Sequence, residues 1–171
     1  GKKVDFSVFT YGISINSLTV KSLDKLYLEK VDRILFIENK ANFVDYLAKY
    51  KKSNELVIFH GGFYSPVKGL FFQNIYDVGK IQGAAFYHWS DIDVGGFRIF
   101  HRLKKNIIPT LQPYLMDKEA FLSKKGFWKD FDLKYGEILR KMLESEDYLQ
   151  FHEVIKEMLK ERARLEQEAF L

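Results

Sequence analysis

The sequence contains no cysteine and no long hydrophobic run, and each absence removes a class of protein from consideration. Without cysteine, a disulfide scaffold, a thiolate metal site and a cysteine nucleophile are all excluded. No apolar stretch approaches the roughly 18 residues that a membrane-spanning helix needs. No signal peptide is recognisable either, so we expect a cytoplasmic protein without a membrane partner.

Proline is also scarce, and its three residues form no Pro-rich linker. The chain shows no internal repeat and no low-complexity segment. Its 171 residues, 47% hydrophobic and 29% charged, suit one globular domain with a small appendix. The chain begins Gly1-Lys2-Lys3 without a methionine, and we expect it to be part of a longer protein.

Positive charge is concentrated in the front part of the chain. The net charge is +4, but residues 134–168 carry seven basic and nine acidic side chains, which leaves +6 for the first 133 residues. A mildly basic surface is compatible with a polyanionic partner such as nucleic acid, although many basic domains bind no such partner. Aromatic residues are abundant, with 16 Phe and 10 Tyr, and we expect most of them in the core.

Short apolar runs alternate with helical patterns through the middle of the sequence. The runs have little polar alternation, which is typical of strands buried on both faces of a parallel sheet. Strand–helix alternation of this kind predicts an α/β fold with right-handed crossovers. The predicted strands are 31–37, 56–59, 83–89 and 107–111, and the predicted helices between them cover 41–48, 67–78 and 94–103.

The two ends of the chain follow other patterns. Alternating apolar residues predict strand or hairpin structure in residues 4–20. After about residue 117 the spacing predicts helices only. We therefore divide the chain into an N-terminal strand or hairpin segment, an α/β core and a helical extension packed on that core, at 1–30, 31–115 and 116–171. The helices predicted in the extension cover 118–122, 138–143 and 151–165.

Three carboxylates directly follow predicted strands. Glu38 comes after the first strand, and Asp91 and Asp93 come after the third. The carboxyl ends of parallel strands meet at one edge of a sheet, where sites are usually found. Asp91 and Asp93 are two residues apart, so in an extended segment their side chains point the same way.

Clustered carboxylates repel one another unless a cation or a shared proton offsets their charge. Oxygen-only ligands at this density suit Mg²⁺ or Mn²⁺, which are typical of phosphoryl-transfer sites. The alternative is structural: an acid at a strand end often caps the next helix, and Asp93 stands where it would cap a helix beginning near Val94. Taken together, the three acids favour the metal site.

The same residues resemble a known family. Glu after one strand and Asp-x-Asp after the third are similar to the Toprim domain of topoisomerases, primases and related nucleases. The segments IENKANF, FHGGFYSP, HWSDIDVGGFRIF and RLEQEAF resemble the C-terminal Toprim domain of the JetD subunit of Wadjet anti-plasmid systems, which is similar to the A subunit of topoisomerase VI. The resemblance runs from about residue 31 to the end of the chain.

This resemblance implies a Toprim-type parallel four-stranded sheet with flanking helices and a C-terminal α-helical extension. It also implies an endonuclease that hydrolyses double-stranded plasmid DNA with one or two Mg²⁺ or Mn²⁺ ions, held by Glu38, Asp91 and Asp93. Members of the family carry an N-terminal arm and a winged-helix part, and an SMC-type motor complex delivers circular DNA to them. Because topoisomerase VI relatives dimerise, the resemblance implies a homodimer as well.

Further residues are candidates for the same site. His60 ends the second predicted strand, beside Gly61 and Gly62, where it could contact the scissile phosphate or transfer a proton. The alternative is a histidine that only hydrogen-bonds a loop. Glu168, in the segment that resembles the closing segment of the family, could add a metal ligand, as could Glu166, or both could be solvated.

A basic face on the third predicted helix is a candidate DNA-binding surface. Arg98, Arg102 and Lys105 recur at helical spacing together with His101, and Lys68 on the preceding helix could also reach a phosphate. The alternative for each of them is an ordinary solvated side chain.

Two other functions remain open. A phosphohydrolase of the haloacid dehalogenase type also uses Asp-x-Asp after a buried strand, but there the motif follows the first strand and a later acidic pair completes the site. Here the motif follows the third predicted strand, and no Asp-Asp pair occurs downstream. The second alternative is a Toprim scaffold that positions DNA or a partner without cutting it.

Overall fold

The computed structural model describes residues 3–171 and shows a four-stranded parallel sheet flanked by helices. The strand order is β2-β1-β3-β4, with each neighbouring pair parallel. This is the α/β class that the sequence predicts. The strands of this sheet are β1 (Arg33–Ile37), β2 (Glu55–Phe59), β3 (Ala85–Trp89) and β4 (Gln112–Pro113).

One short helix precedes the sheet, and the others follow its strands and continue through the C-terminal part. Among residues 3–171 they are α1 (Ser17–Lys21), α2 (Lys40–Lys49), α3 (Pro66–Ile81), α4 (Val94–Asn106), α5 (Lys118–Ser123), α6 (Leu133–Leu143) and α7 (His152–Glu161). Side-chain caps explain where several of them begin, because Asn39, Ser65 and Asp93 each accept a hydrogen bond from a backbone N–H in the first turn. Within the described part of the chain, no helix is both long and apolar enough to cross a membrane.

Helices pack on both faces of the sheet. On one face Phe36 of β1 meets Phe72 of α3, and His88 of β3 meets Phe100 of α4, at ring distances of 5.1 and 5.7 Å. On the other face Trp89 meets Tyr46 of α2. The four residues 34–37 have no solvent exposure, as the unbroken apolar run predicts for a central parallel strand.

The C-terminal part belongs to the same hydrophobic core as the sheet. Leu139, Phe151 and Ile155 are fully buried, and Phe151 stacks on Phe97 of α4 at a ring distance of 4.4 Å. Besides its helices, this part contains a two-stranded antiparallel ribbon of β5 (Lys129–Asp130) and β6 (Ala163–Arg164). These contacts fix the position of the chain end relative to the sheet.

Three sequence predictions are wrong. Residues 4–20 form no strand or hairpin within the described chain; they form turns and α1, and most of their apolar side chains are exposed. Residues 107–111 form a turn beside the sheet, and the strand β4 follows them. The apolar residues of this turn are buried without strand pairing. The last long helix ends at Glu161, because Arg162 adopts a left-handed conformation (φ 52°) and the chain continues as β6.

A buried ionic network closes the amino-terminal edge of the sheet. Arg33 pairs with Glu55 at 3.1 Å, and its guanidinium group lies between the rings of Tyr87 and Tyr114 at 4.6 and 4.7 Å. Tyr46 donates a hydrogen bond to Glu55 at 3.0 Å. This network fills the amino-terminal edge, and the pocket described below lies at the opposite edge.

Candidate metal centre

Glu38 and Asp91 lie at the carboxyl ends of the two central strands. Glu38 follows β1 and Asp91 comes two residues after β3; the backbone N–H of Glu38 continues the ladder by donating to Trp89 O at 3.0 Å. β1 leads to β2 on one side and β3 leads to β4 on the other, so this is the point where the chain switches direction across the sheet. Ligands of open α/β sheets bind at such points.

An open pocket of about 290 Å³ lies beside these two acids. Gly61 and Gly62 form one wall, and both have positive φ angles (61° and 80°), which glycine adopts without strain. A methyl group at Gly62 would lie 3.7 Å from Oε1 of Glu38, so the absence of a side chain keeps this wall open. The pocket is lined by Glu38, Asn39, Lys40, Phe59, Gly61, Gly62 and Asp91.

The Glu38 carboxyl group is in an unfavourable electrostatic environment. Its Oε2 atom is buried and has no hydrogen-bond partner. Burial, and then the charges of Asp91 and Asp93, raise the pKa of Glu38 to about 7. The nearby backbone of Asp91 acts in the opposite direction but does not offset this rise in pKa. A carboxyl group with a buried, unpartnered oxygen beside other carboxylates is stabilised by a cation or by protonation.

Asp91 is held more firmly than Glu38. Its Oδ1 atom accepts a hydrogen bond from the backbone N–H of Gln167 at 2.7 Å. Burial raises the pKa of Asp91 to about 6, while the Gln167 hydrogen bond opposes the rise and the charges of Asp93, Glu168 and Glu166 add to it. The chain therefore holds Asp91 at a defined position within a cluster of negative charge.

Asp93 has the structural role that the sequence left open. Its Oδ1 atom accepts from Gly96 N at 2.7 Å and so caps α4, while Oδ2 pairs with Arg164 at 3.5 Å. Both oxygens therefore have partners within the chain. Asp93 contributes its charge to the site in this conformation, and it would have to give up Arg164 to bind a metal ion with Oδ2.

The two glutamates near the chain end differ in their contacts. Glu168 accepts a hydrogen bond from Asn39 Nδ2 at 2.6 Å, and its charge raises the pKa values of both Glu38 and Asp91. Glu166 forms an ion pair with Lys129 at 2.5 Å. Glu168 is therefore the better placed of the two to join the acidic cluster.

His60 lies beneath the loop that walls the pocket. It is 1% exposed, its Nδ1 atom lies 3.0 Å from Gly62 O, and burial lowers its pKa to about 4. Its ring packs against buried His88 at a ring distance of 4.8 Å. The structure does not bring His60 to the pocket surface, and direct contact with a substrate would require the loop to move.

All four predicted basic residues are exposed, and two of them, Lys68 and Lys105, also make polar contacts. Lys68 donates to His60 O at 3.0 Å and so braces the glycine loop. Arg98 and Arg102 of α4 are exposed, and the Arg102 guanidinium lies 4.6 Å from the Tyr64 ring. Lys105 approaches Asp147 at 3.8 Å, and His101 lies 3.4 Å from the same carboxylate.

Several residues at the site were not predicted from the sequence. Lys40 places a basic side chain at the pocket, and Tyr135 accepts a hydrogen bond from Val94 N at 2.8 Å at the start of α4. Arg164 and Gln167 contact the Asp-x-Asp segment from more than 70 residues away. The position of Lys40, two residues after Glu38, was a usable signal, and Arg164 and Gln167 lie in the segment RLEQEAF that resembles the family. The long-range contacts themselves have no local pattern.

The residues at the pocket include some of the ligands that a divalent cation needs, but they are not yet arranged to hold one. Among residues 3–171, no three Asp, Glu or His side chains stand close enough together to hold a metal ion as they are. The unpartnered buried oxygen of Glu38, beside the Asp91 carboxyl group, is the donor chemistry that Mg²⁺ and Mn²⁺ prefer, and both ions retain waters when few carboxylates bind them. Glu38 and Asp91, with Glu168 beside them, are the residues suited to that role.

The parallel sheet, its flanking helices and the acids at the β1/β3 switch point define an α/β domain consistent with a Toprim-like fold. The family model described as "Wadjet protein JetD, C-terminal" matches residues 2–171, so the chain belongs to this family of JetD C-terminal domains. It is 35% identical over 175 residues to a Wadjet protein JetD of Bacillus cereus (strain Q1), across the whole of this chain. It spans 41% of the length of that relative.

Proposed function

We propose that this chain is the catalytic domain of a metal-dependent DNA endonuclease. The observation that carries the proposal is the pair Glu38 and Asp91 at the sheet switch point. Both line an open, glycine-walled pocket, and Glu38 has one buried carboxylate oxygen without a partner. Membership of the JetD C-terminal family supports the proposal. The resemblance of the motifs to Toprim nucleases implies a metal-binding role for these acids.

Mg²⁺ or Mn²⁺, one ion or two, is the proposed cofactor; when bound, it supplies an activated water and offsets charge on the phosphate oxygens. Glu38 and Asp91 would hold it, with Glu168 as a further ligand. Asp93 orients the loop through its cap on Gly96 and would join the ligands only on release from Arg164. The glycine wall lets a phosphate approach the backbone closely.

The exposed basic side chains of α4 are the proposed DNA-binding surface. Arg98 and Arg102 are free of ion pairs within residues 3–171, whereas Lys105 shares Asp147 with His101. Lys68, which is fixed at the glycine loop, would add positive charge beside the pocket. These contacts would be to phosphates and would carry no base specificity.

The proposed biological setting is suggested by the family. We propose that this chain acts with other Wadjet subunits and cuts plasmid DNA delivered by an SMC-type motor complex in an anti-plasmid defence system. We also propose that it works in the cytoplasm and as a homodimer, by resemblance to topoisomerase VI relatives.

The second candidate is a scaffold that positions DNA or a partner without cutting. It is favoured by the engagement of both Asp93 oxygens and by the lack, among residues 3–171, of three side chains already arranged to hold a metal ion. No contact in the structure specifically favours the haloacid dehalogenase alternative, in which Asp91 would be a nucleophile.

Nicking of supercoiled plasmid in the presence of Mn²⁺ tests the proposal. We expect Glu38→Gln and Asp91→Asn each to lower the rate at least about 100-fold, because either change removes a charged ligand while keeping the shape of the side chain. Glu137→Gln, the same change on an exposed residue of α6, should leave the rate unchanged.

Circular dichroism and the unfolding midpoint should show that both site variants are folded. Nicking by both variants at the wild-type rate would contradict the assignment of the site. Mn²⁺ binding by the wild-type protein without any nicking, alone or with its Wadjet partners, would favour the scaffold.

A further inference from the structure

We propose that Gln167 is a positioning residue that sets the separation of Glu38 and Asp91. It lies in the closing segment, residues 163–170, which runs along both acid-bearing loops. The inference rests on the proposed function, since it assigns Gln167 a role in that same site. Gln167 would act through the loops without touching the metal ion or the DNA.

One group of contacts ties the closing segment to the Asp91 loop. The backbone N–H of Gln167 donates to Asp91 Oδ1 at 2.7 Å. Two residues earlier, Leu165 exchanges two backbone hydrogen bonds with Ile92, at 2.9 and 3.2 Å. These bonds hold the backbone of the closing segment against the β3–α4 loop.

A second group ties the same residue to the loop that follows Glu38. Gln167 Oε1 accepts a hydrogen bond from the backbone N–H of Asn39 at 3.0 Å, and its carbonyl oxygen accepts one from Asn42 Nδ2 at 2.8 Å. Gln167 and Asn42 are each 1% exposed. A single buried residue therefore bridges the two loops that carry the proposed ligands.

The closing segment is anchored on both sides of Gln167. Before it, β6 pairs with β5, and Arg164 contacts Asp93 at 3.5 Å. After it, Phe170 packs against Trp89 of β3 at a ring distance of 5.8 Å. Loss of the Gln167 side chain should therefore loosen the link between the loops while the segment itself stays attached.

The physical consequence concerns preorganisation of the two carboxylates. A cation held by few carboxylates depends on their separation, and groups that orient the ligands typically contribute about 10–100-fold to metal affinity. The Gln167 amide oxygen holds the backbone N–H of the first residue after Glu38. Without it, this partly buried N–H would lose its acceptor, and we expect the loop to shift.

Mn²⁺ binding without DNA, followed by electron paramagnetic resonance, tests this role. Gln167→Met keeps the length of the side chain and the backbone N–H toward Asp91 but removes the amide. We expect it to weaken Mn²⁺ binding about 10–100-fold. Leu139→Ala, a buried change in α6 and outside both loops, should lower the unfolding midpoint and leave the affinity of the folded protein unchanged.

Hydrogen exchange in the absence of metal provides the second measurement. Gln167→Met should speed exchange in residues 38–42 and 90–93, and Leu139→Ala should not do so under conditions where both proteins are folded. Wild-type Mn²⁺ affinity in Gln167→Met would overturn the positioning role. If the wild-type protein bound no Mn²⁺, the proposed function would fail on its own, and unchanged exchange in the two loops would then overturn the inference.

Discussion

At the scale of single residues, the site is a set of acids with different surroundings. Glu38 has a buried oxygen without a partner, Asp91 is held by a backbone N–H, and Asp93 is shared between a helix cap and an arginine. The sequence places all three at one edge of the sheet and makes them look equivalent. Their hydrogen-bond partners make Glu38 the acid with the most to gain from a cation.

The raised pKa of Glu38 predicts that the metal-free protein becomes less stable as the pH rises. The ordinary value is 4.5 and the folded value is about 7, so between these values the folded state binds more protons and its stability falls as pH rises. Glu38→Gln removes this loss. We expect it to stabilise the protein at pH 7.5 by about 1–2 kcal/mol, less than the full shift implies because the carboxyl group is partly exposed and screened.

The measurement is the free energy of unfolding of both proteins in urea with a chelator, from pH 5 to 7.5. Burial lowers the pKa values of His60 and His88, so their titration makes the folded protein more stable as the pH rises. Both histidines are present in both proteins, so their contributions cancel in the difference. Glu137→Gln should show a difference that does not change with pH. A constant difference for Glu38→Gln would show that its carboxyl group is not strained in the fold.

At the scale of elements, the β3–α4 connection decides where Asp91 and Asp93 point. Asp93 accepts a hydrogen bond from Gly96 N, and the Tyr135 hydroxyl accepts one from Val94 N. Two side chains therefore hold the first turn of α4. The chain then passes so close to itself at Gly96 that no side chain fits there. The conformation of the Asp-x-Asp motif therefore depends on Gly96, a residue without a side chain that could react or bind a ligand.

Gly96→Ala should disturb this connection. The added methyl group would overlap the carbonyl oxygen of Asp91 and lie 2.6 Å from Ser90 Oγ, so the backbone beside the site must shift. We expect a loss of about 1–3 kcal/mol in the free energy of unfolding, together with weaker Mn²⁺ binding. Gly126→Ala is the matched control, because nothing lies within 4 Å of its added methyl group. Equal stability of the two variants would contradict the close approach.

At the scale of the whole molecule, the acidic pocket and the basic face of α4 lie on one framework. The C-terminal helices share the core of the sheet, and buried residues of the closing segment and of α4 belong to that same core. The net charge of +4 hides this arrangement, because the acids are clustered and the positive excess lies in the first 133 residues. Such a distribution suits a polyanion that must approach an acidic site.

DNA binding tests the surface as a whole. We expect affinity for duplex DNA to fall with salt, and Arg102→Glu to weaken it and to reduce the salt slope by about 1, because one phosphate contact is lost. Fluorescence anisotropy at several salt concentrations measures both. Lys80→Glu makes the same charge change in the last turn of α3 and should have a smaller effect. Binding that is insensitive to salt would contradict a phosphate-binding surface.

The order of buried strands, their parallel pairing and the placement of Glu38 and Asp91 were all predictable from the sequence. The reason is that these features depend on local apolar runs and on the geometry of any parallel sheet. The same local reasoning failed at residues 4–20 and 107–111, where apolar residues are exposed or buried without strand pairing. An alternating or continuous apolar pattern shows which side chains are apolar. It does not show whether another strand lies beside the segment to pair with it.

The partners of the acids came from elsewhere in the fold. Gln167 and Arg164 reach Asp91 and Asp93 because β6 turns the chain end back across the sheet edge, after a left-handed residue ends α7. Burial of His60 likewise depends on the loop above it and on His88 of another strand. Local sequence therefore sets which residues stand at the site, and long-range packing sets their charge, exposure and freedom to bind, because contacts between distant segments form only when the whole core assembles.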